Sequence, residues 1–244
     1  MDDSPLEQLK TWYNRVPIVT RMLLTMCISS TLLVTLTNTL GWALFSWIAI
    51  VHGQYWRLIS GLIAQRMSLG FVVDMYMLSR FSGMLENDVF NNRRADFVFF
   101  YMFAAASMVL FAVFQQSHLL LFRGVFMAML YLWSRLYPQY PLQFFFGIRF
   151  QGAYLPWALL AMEFVSSGSV SFLSLMGIVT GHLFHYLAVE TAQGSQAPLL
   201  TTPAWMRRLV GSGAAPTPNP TRGLRGQPAQ QRTAHPWGQG YRLG

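Results

Sequence analysis

Long apolar runs separated by short polar or charged segments dominate the first 190 positions of the chain. An α-helix needs about 20 apolar residues to cross the hydrocarbon core of a membrane, and most of these runs approach that length. The pattern predicts six crossings, at residues 18–39, 68–85, 95–114, 117–138, 148–166 and 169–189. We therefore expect an all-α membrane protein built as a bundle of six transmembrane helices.

The fourth crossing, residues 117–138, is predicted to lie at the centre of this bundle. Gly124 has no Cβ atom, so the backbone of a neighbouring helix can approach it closely. Arg123, next to it, is costly at membrane depth unless it faces a wet cavity, pairs with a carboxylate or reaches an interface. Arg123 is therefore the residue that most needs an explanation.

Residues 41–60 are aromatic and apolar, but His52, Gly53 and Gln54 interrupt them. They are predicted to form a loop in the membrane interface because the uninterrupted apolar stretch is too short to cross. In this loop Trp56 can lie among the headgroups, and Arg57 can bind phosphates or carbonyl groups. The sequence leaves open whether this pair has a special function or is an ordinary interfacial anchor.

Polar residues around the second crossing define a possible polar path through the membrane: Gln65, Arg66 and Asp74. A carboxylate at the position of Asp74 should face the bundle or water, with Arg66 or Arg80 as candidate partners. Asp74 is either structural or part of the lining of such a path, and the sequence does not choose between them.

The last two crossings each contain residues that should shape the packing. Pro156 is predicted to kink the fifth crossing, and Glu163, near its far end, is expected at the opposite interface. In the sixth crossing Gly177 and Gly181 have GxxxG spacing, which leaves one helix face without side chains. Such a face allows close packing of another helix.

Composition supports a membrane protein, with 53% hydrophobic, 15% aromatic and 11% charged residues. The net charge of +8 could suggest a nucleic-acid partner, but the basic residues lie beside apolar segments, and we expect no such partner.

In the six-crossing arrangement 14 of the 17 Lys and Arg residues lie on the side of the two termini, and this side should be cytosolic. The single cysteine, Cys27, allows neither an intramolecular disulfide nor a metal cluster, and no cofactor is expected.

After Glu190 the composition changes to Gly, Pro, Gln, Thr and Arg, which predicts a disordered tail from Gly194. This divides the chain into a membrane domain (1–192), a linker (193–236) and a terminal motif (237–244). The motif combines two apolar anchors with two residues that permit an extended backbone close to a partner: Trp237, Leu243, Gly238 and Gly240. The other interpretation is an arbitrary glycine-rich end.

Six crossings, a large interfacial loop after the first and a late GxxxG resemble the rhomboid fold. Rhomboid proteases begin their fourth helix with Gly-x-Ser-Gly, and the similar segment here is Phe122-Arg123-Gly124-Val125. On this pattern Arg123 occupies the position of the catalytic serine, and Ser174 occupies that of the histidine. The resemblance therefore implies a bundle with neither nucleophile nor base, and so not an enzyme.

An unconventional intramembrane protease is the rival interpretation. It would need a hydroxyl and an imidazole within hydrogen-bond reach, and the candidates are Ser134, Ser107, His182 and His185. No spacing in the sequence implies such a contact.

Five segments are similar to the derlin family, the inactive rhomboid relatives of the endoplasmic reticulum (ER). They are GQYWRL (53–58), LSRFSGMLENDVFNNRRADFVFF (78–100), YLWSRLYP (131–138), FFFGIRFQGAYLPW (144–157) and GIVTGH (177–182). The resemblance implies a multi-pass ER membrane protein with cytosolic termini that assists the retrotranslocation of misfolded clients. It also implies association with a membrane ubiquitin ligase complex and with other copies or family members.

The last eight residues, WGQGYRLG, resemble the SHP box through which derlins bind the valosin-containing AAA ATPase. This resemblance implies that the tail recruits that ATPase. A membrane tether that recruits the ATPase without touching clients is the remaining rival interpretation.

Overall fold

The computed structural model describes residues 5–90, 93–115, 120–143, 149–190 and 200–210. These residues are predominantly helical, as the sequence predicts. The helices are α1 (Pro5–Arg15), α2 (Ile18–Leu36), α3 (Leu40–Ala43), α4 (Trp47–Val51), α5 (Trp56–Ile63), α6 (Leu69–Met77), α7 (Arg94–Gln115), α8 (Phe122–Leu136), α9 (Leu155–Ser167), α10 (Phe172–His185) and α11 (Ala204–Val210). Helix α6 continues through π-helical turns at Leu78–Ser82 and Leu85–Val89, and α10 continues through Tyr186–Glu190.

Two helices in the described part of the chain are long and apolar enough to cross a membrane. They are α2, with 19 residues, and α7, with 22, which correspond to the first and third predicted crossings. The apolar segment Phe172–Ala188, which includes α10, is shorter. The arrangement of six crossings stays a prediction.

Helix α8 lies at the centre of the molecule, as predicted. Most of its side chains are buried, among them Phe126, Met127 and Trp133. It packs most extensively against α10 and also contacts α7 and α9. The ring centroids of Trp133 and Phe81 lie 4.4 Å apart, which fixes the helix against the turn that follows α6.

The stretch predicted as an interfacial loop contains three short helices, α3, α4 and α5. Gly53, at the end of α4, has φ of +95°, a conformation that glycine adopts without strain. This residue lets the chain reverse between α4 and α5. The prediction of a loop was wrong because short apolar segments that pack on one another can form helices of one or two turns, which the length needed to cross a membrane does not detect.

The fifth predicted crossing begins later than expected. Residues Arg149–Gln151 pair with Pro141–Gln143 as a two-stranded antiparallel sheet, β2 with β1, and α9 starts only at Leu155. Pro156 therefore lies in the first turn of α9. Its missing N–H group costs no helical hydrogen bond there, so the predicted kink was wrong.

Helix α11 lies inside the segment predicted to be a disordered tail. The hydroxyl of Thr202 donates a 2.6 Å hydrogen bond to Asp96 Oδ1, and Met206 is buried. The helix contacts α7. The prediction of disorder was therefore wrong for residues 200–210, and residues 191–199 and 211–244 lie outside the described part.

The carboxylate of Glu86 caps the first turn of α2, although it lies 66 positions further along the chain from Thr20. Glu86 is buried and accepts hydrogen bonds from the backbone N–H groups of Val19 (2.9 Å) and Thr20 (2.8 Å). The Thr20 hydroxyl also donates to Glu86 and lies 2.9 Å from the Ser82 hydroxyl. A negative group at a helix N-terminus satisfies free N–H donors and complements the helix dipole.

Replacing Glu86 with alanine should lower the free energy of unfolding by about 2–3 kcal/mol, because the buried N–H donors of α2 would lose their acceptor. Denaturant titration of the purified protein in detergent measures this change. Asp88→Ala is the control, because Asp88 is exposed and accepts one hydrogen bond, from the Tyr137 hydroxyl at 3.2 Å. An equal loss in both variants would contradict the capping role.

Candidate functional site

The two positions that the sequence resemblance matches to the rhomboid serine and histidine are neighbours in the structure. Arg123 lies in the first turn of α8, and Ser174 lies in the first turn of α10. The Arg123 Nε group donates to Ser174 Oγ across 3.4 Å. A guanidinium and a hydroxyl therefore meet at the two positions for which the resemblance predicted the loss of nucleophile and base.

Arg123 pairs with two carboxylates from two other helices. Its Nη1 atom lies 3.2 Å from Asp74 Oδ1 on α6, and its Nη2 atom lies 3.1 Å from Glu163 Oε2 on α9. The side chains are largely removed from solvent, with exposed fractions of 26% for Arg123 and 14% for each acid. One cation thus bridges two anions, and the planar guanidinium suits this geometry because its donors point in different directions.

Glu163 also orders the beginning of α10. Its Oε1 atom accepts a hydrogen bond from the backbone N–H of Ser171 (3.0 Å), and its Oε2 atom accepts one from the Ser174 hydroxyl (2.8 Å). The group of Arg123, Asp74, Glu163 and Ser174, which we call the Arg123 cluster, therefore connects α6, α8, α9 and α10.

Two expectations about these acids were wrong. Asp74 pairs with Arg123, and neither Arg66 nor Arg80 forms an ion pair with it among the described residues. Glu163 is mostly buried in the Arg123 cluster, whereas the sequence predicted an interfacial side chain that is not buried. Its depth in the membrane stays a prediction. A signal for the cluster was present, because the predicted topology puts Asp74, Arg123 and Glu163 near the same membrane surface.

The Arg123 cluster lacks the serine–histidine pair of a rhomboid protease among the described residues. The hydroxyl of Ser174 donates to the carboxylate of Glu163, and no imidazole is among its partners in the described part of the chain. A guanidinium stays protonated in proteins, so Arg123 cannot accept a proton. The cluster can hold α6, α8, α9 and α10 together through its charged groups.

The proposed substitute dyads are not formed by the described residues. Ser134 donates to the backbone oxygen of Tyr131 at 2.7 Å, and Ser107 donates to that of Phe103 at 2.9 Å. The His182 Nδ1 atom is hydrogen-bonded to the hydroxyl of Tyr131, at 3.0 Å. Neither serine hydroxyl is hydrogen-bonded to a histidine.

Arg57 holds the short helices together. Its guanidinium donates to the side-chain oxygen of Gln54 and to the backbone oxygens of Gly41 (3.0 Å) and Leu44 (3.1 Å). The sequence allowed two kinds of partner for Arg57, carbonyl groups and phosphates. In the structure Arg57 binds carbonyl groups. The Trp56 side chain is half exposed at the surface of the same segment, which suits an interfacial position.

Gly177 and Gly181 form the contact between α10 and α8. A Cβ atom at Gly177 would collide with the backbone oxygen of Gly124, and one at Gly181 would lie 2.7 Å from the backbone oxygen of Ala128. The close packing that the GxxxG spacing predicts is therefore present. It brings α10 near enough for Ser174 to reach Arg123.

The three residues of the predicted polar path do not form one network. The backbone N–H of Gln65 donates to the Thr31 hydroxyl at 3.1 Å, while its buried Nε2 atom has no hydrogen-bond partner among the described residues. Arg66 is exposed, and Asp74 belongs to the Arg123 cluster. The tail residues Trp237, Gly238, Gly240 and Leu243 lie outside the described part.

Comparison with known proteins gives a consistent result. The model of the Der1-like family matches residues 16–204. Derlin-1 of Drosophila melanogaster is 30% identical over 250 residues, which cover 96% of this chain and 97% of the relative. Derlin-1 of Homo sapiens is 29% identical over 98% of this chain and 99% of its own length, and Derlin-1 of Arabidopsis thaliana is 31% identical over 82% and 76%.

Proposed function

This chain belongs to the Der1-like family, and from that premise we propose that it helps misfolded proteins leave the ER for the cytosol without cutting them. Membership of the family implies a role in ER-associated degradation. The retrotranslocation step, the absence of catalysis and the recruitment of the ATPase are the parts of the proposal that need support from the residues.

The observation that carries the non-catalytic part is the Arg123 cluster. The sequence resemblance matches Arg123 and Ser174 to the serine and histidine of rhomboid proteases, and the two side chains are hydrogen-bonded to each other. Asp74 and Glu163 hold the guanidinium in place from two sides. This position therefore offers a helix-bridging ion pair instead of a serine with a histidine.

A multi-pass arrangement with both termini in the cytosol is supported by surface and charge. Large apolar side chains are exposed on several helices, for example Leu36 (83%), Phe114 (78%) and Val165 (84%). Exposed apolar surface of this extent is typical of contact with lipid. The excess of Lys and Arg on the side of the termini favours a cytosolic position for both.

Local thinning of the bilayer would help a client to cross. Helix α9 has 13 residues and exposes apolar side chains such as Trp157 and Val165. It is about 20 Å long, whereas the hydrocarbon core measures roughly 30 Å. A short helix in contact with lipid favours a thinner membrane around the bundle. Thinning, together with polar groups such as Gln65 and Arg66 near the surface, lowers the cost of moving a polar backbone through lipid.

We further propose that the tail delivers the client to the valosin-containing AAA ATPase. The terminal WGQGYRLG supports this through its resemblance to the SHP box. The composition of residues 211–236 predicts disorder. A disordered segment of this length has a root-mean-square span on the order of 30 Å, which would keep a bound ATPase close to the membrane. A membrane ubiquitin ligase complex and further derlin copies complete the proposed set of partners.

Replacing both Gln65 and Arg66 with leucine should lengthen the half-life of a misfolded ER client severalfold, because the polar approach to the bilayer would be lost. Pulse-chase labelling in cells whose own derlins are deleted measures the half-life, and co-purification measures binding of the ATPase. Ser29→Leu/Arg94→Leu, which removes two exposed polar side chains elsewhere, is the control and should behave as wild type.

The same experiment distinguishes translocation from tethering. Slower client degradation with unchanged ATPase binding supports direct handling of the client. An unchanged half-life in Gln65→Leu/Arg66→Leu would contradict it and favour a tether that never contacts clients.

A further inference from the structure

A cavity of about 410 Å³ lies between the end of α1 and the π-helical turns that follow α6. Two arginines line it, Arg15 from α1 and Arg80 from the turn Leu78–Ser82. Neither forms an ion pair with a carboxylate of the described residues. The cavity thus concentrates two positive charges that the described part of the protein does not neutralise by direct contact.

The other polar groups around the cavity suit an anion. Arg80 Nη1 donates to the hydroxyl of Tyr76 at 3.3 Å, and Tyr140 is a second hydrogen-bond partner of this guanidinium, so the group is held at the cavity wall. Ser79 and Asn87 add a hydroxyl and an amide to the lining. Asp88 is the acidic residue in the lining, and its Oδ2 atom accepts a hydrogen bond from Tyr137. The lining therefore keeps a net positive charge.

The surface next to the cavity is apolar and runs along α6. Leu69, Val72 and Tyr76 follow one another at helical spacing, and their exposed fractions are 82%, 55% and 61%. Tyr76 also lines the cavity, so this stripe ends at the two arginines. Trp12, half exposed on the opposite wall, is a residue type typical of the headgroup layer.

We infer that this cavity binds the phosphate headgroup of an anionic phospholipid of the cytosolic leaflet, with an acyl chain against the stripe on α6. The guanidinium groups of Arg15 and Arg80 supply charge-assisted hydrogen bonds to the phosphate oxygens. A lipid fits better than a free phosphate because the apolar stripe continues directly from the cationic cavity. The orientation rests on the proposed membrane topology, but the binding itself is independent of any degradation activity.

The test uses the full chain, purified in detergent and incubated with an equimolar mixture of phosphatidylcholine and phosphatidic acid. Mass spectrometry measures the ratio of the two lipids that stay bound after gel filtration. The wild type should retain phosphatidic acid with about tenfold preference, and Arg15→Gln/Arg80→Gln should lose most of it. Arg15→Gln alone should lose part of the preference. Because it changes only one exposed side chain, it tests the site even if the double variant misfolds.

The matched control is Arg94→Gln/Arg149→Gln, which removes two exposed arginines outside the cavity and should keep the preference. Equal retention by wild type and Arg15→Gln/Arg80→Gln would overturn the site, and so would an equal loss in the control. Complete displacement of phosphatidic acid by millimolar inorganic phosphate would overturn the lipid as the ligand and identify a site for free phosphate.

Discussion

Replacing Arg123 with methionine should lower the free energy of unfolding by about 3–5 kcal/mol, the range expected when one partner of a buried ion pair is removed. Asp74 and Glu163 would then share a largely buried site without a cation. The two acids approach Arg123 from different helices, so the loss should loosen α6 and α9 from α8 together. Denaturant titration in detergent measures the change.

Neutralising all three charges supplies the control for this prediction. Arg123→Met/Asp74→Asn/Glu163→Gln removes the cation and both anions, and it should recover a large part of the lost stability. Arg123→Lys keeps the charge but should still destabilise, because a single ammonium cannot reproduce the geometry that contacts Asp74, Glu163 and Ser174. A triple variant as unstable as Arg123→Met would show that the charges do not explain the effect.

Replacing Gly177 with leucine should destabilise the protein by about 2–3 kcal/mol, because a side chain there cannot fit between α10 and α8. Even the Cβ atom would collide with the backbone oxygen of Gly124 and lie 2.7 Å from the Met127 Cβ atom. The two helices would have to separate, and Ser174 would move away from Arg123. Gly177→Ala should also lower the free energy of unfolding, but by a smaller amount.

Gly70→Ala is the matched control for the glycine contact. Gly70 also lies in a helix but is exposed, and a Cβ atom there would have an ordinary contact of 3.5 Å with the Ser68 hydroxyl. This substitution should leave stability unchanged or raise it by up to about 1 kcal/mol. If Gly177→Ala were equally harmless, the packing of α10 on α8 would be less close than described.

Local sequence patterns predicted the features that depend on one segment at a time. The apolar runs identified α2 and α7, and the spacing of Gly177 and Gly181 identified the packing face of α10. The small residue Gly124 and the apolar run around it pointed to α8 as the central helix. Each of these signals lies within a single helix or its neighbour.

The features that depend on which segments meet were missed or wrongly assigned. Asp74 was not matched with Arg123, because 49 residues separate them and only the predicted topology, not a local spacing, brings them near each other. Glu86 gave no sign that it caps α2, since 66 residues separate it from Thr20 and no local spacing encodes their contact. The helix at Ala204–Val210 was missed because the composition around it is polar, whereas its anchor, Thr202 with Asp96, is a tertiary contact.

We propose that the bundle passes clients onward uncut, with an ion-paired arginine at the position that the resemblance matches to the rhomboid serine. The most direct measurement is mass spectrometry of a misfolded ER client recovered from the cytosol while the proteasome is inhibited. With this chain as the only derlin in the cell, the account predicts a client of full length within its transmembrane and lumenal segments. A chain-dependent cut inside a transmembrane segment, abolished by Ser134→Ala or His182→Ala, would contradict it.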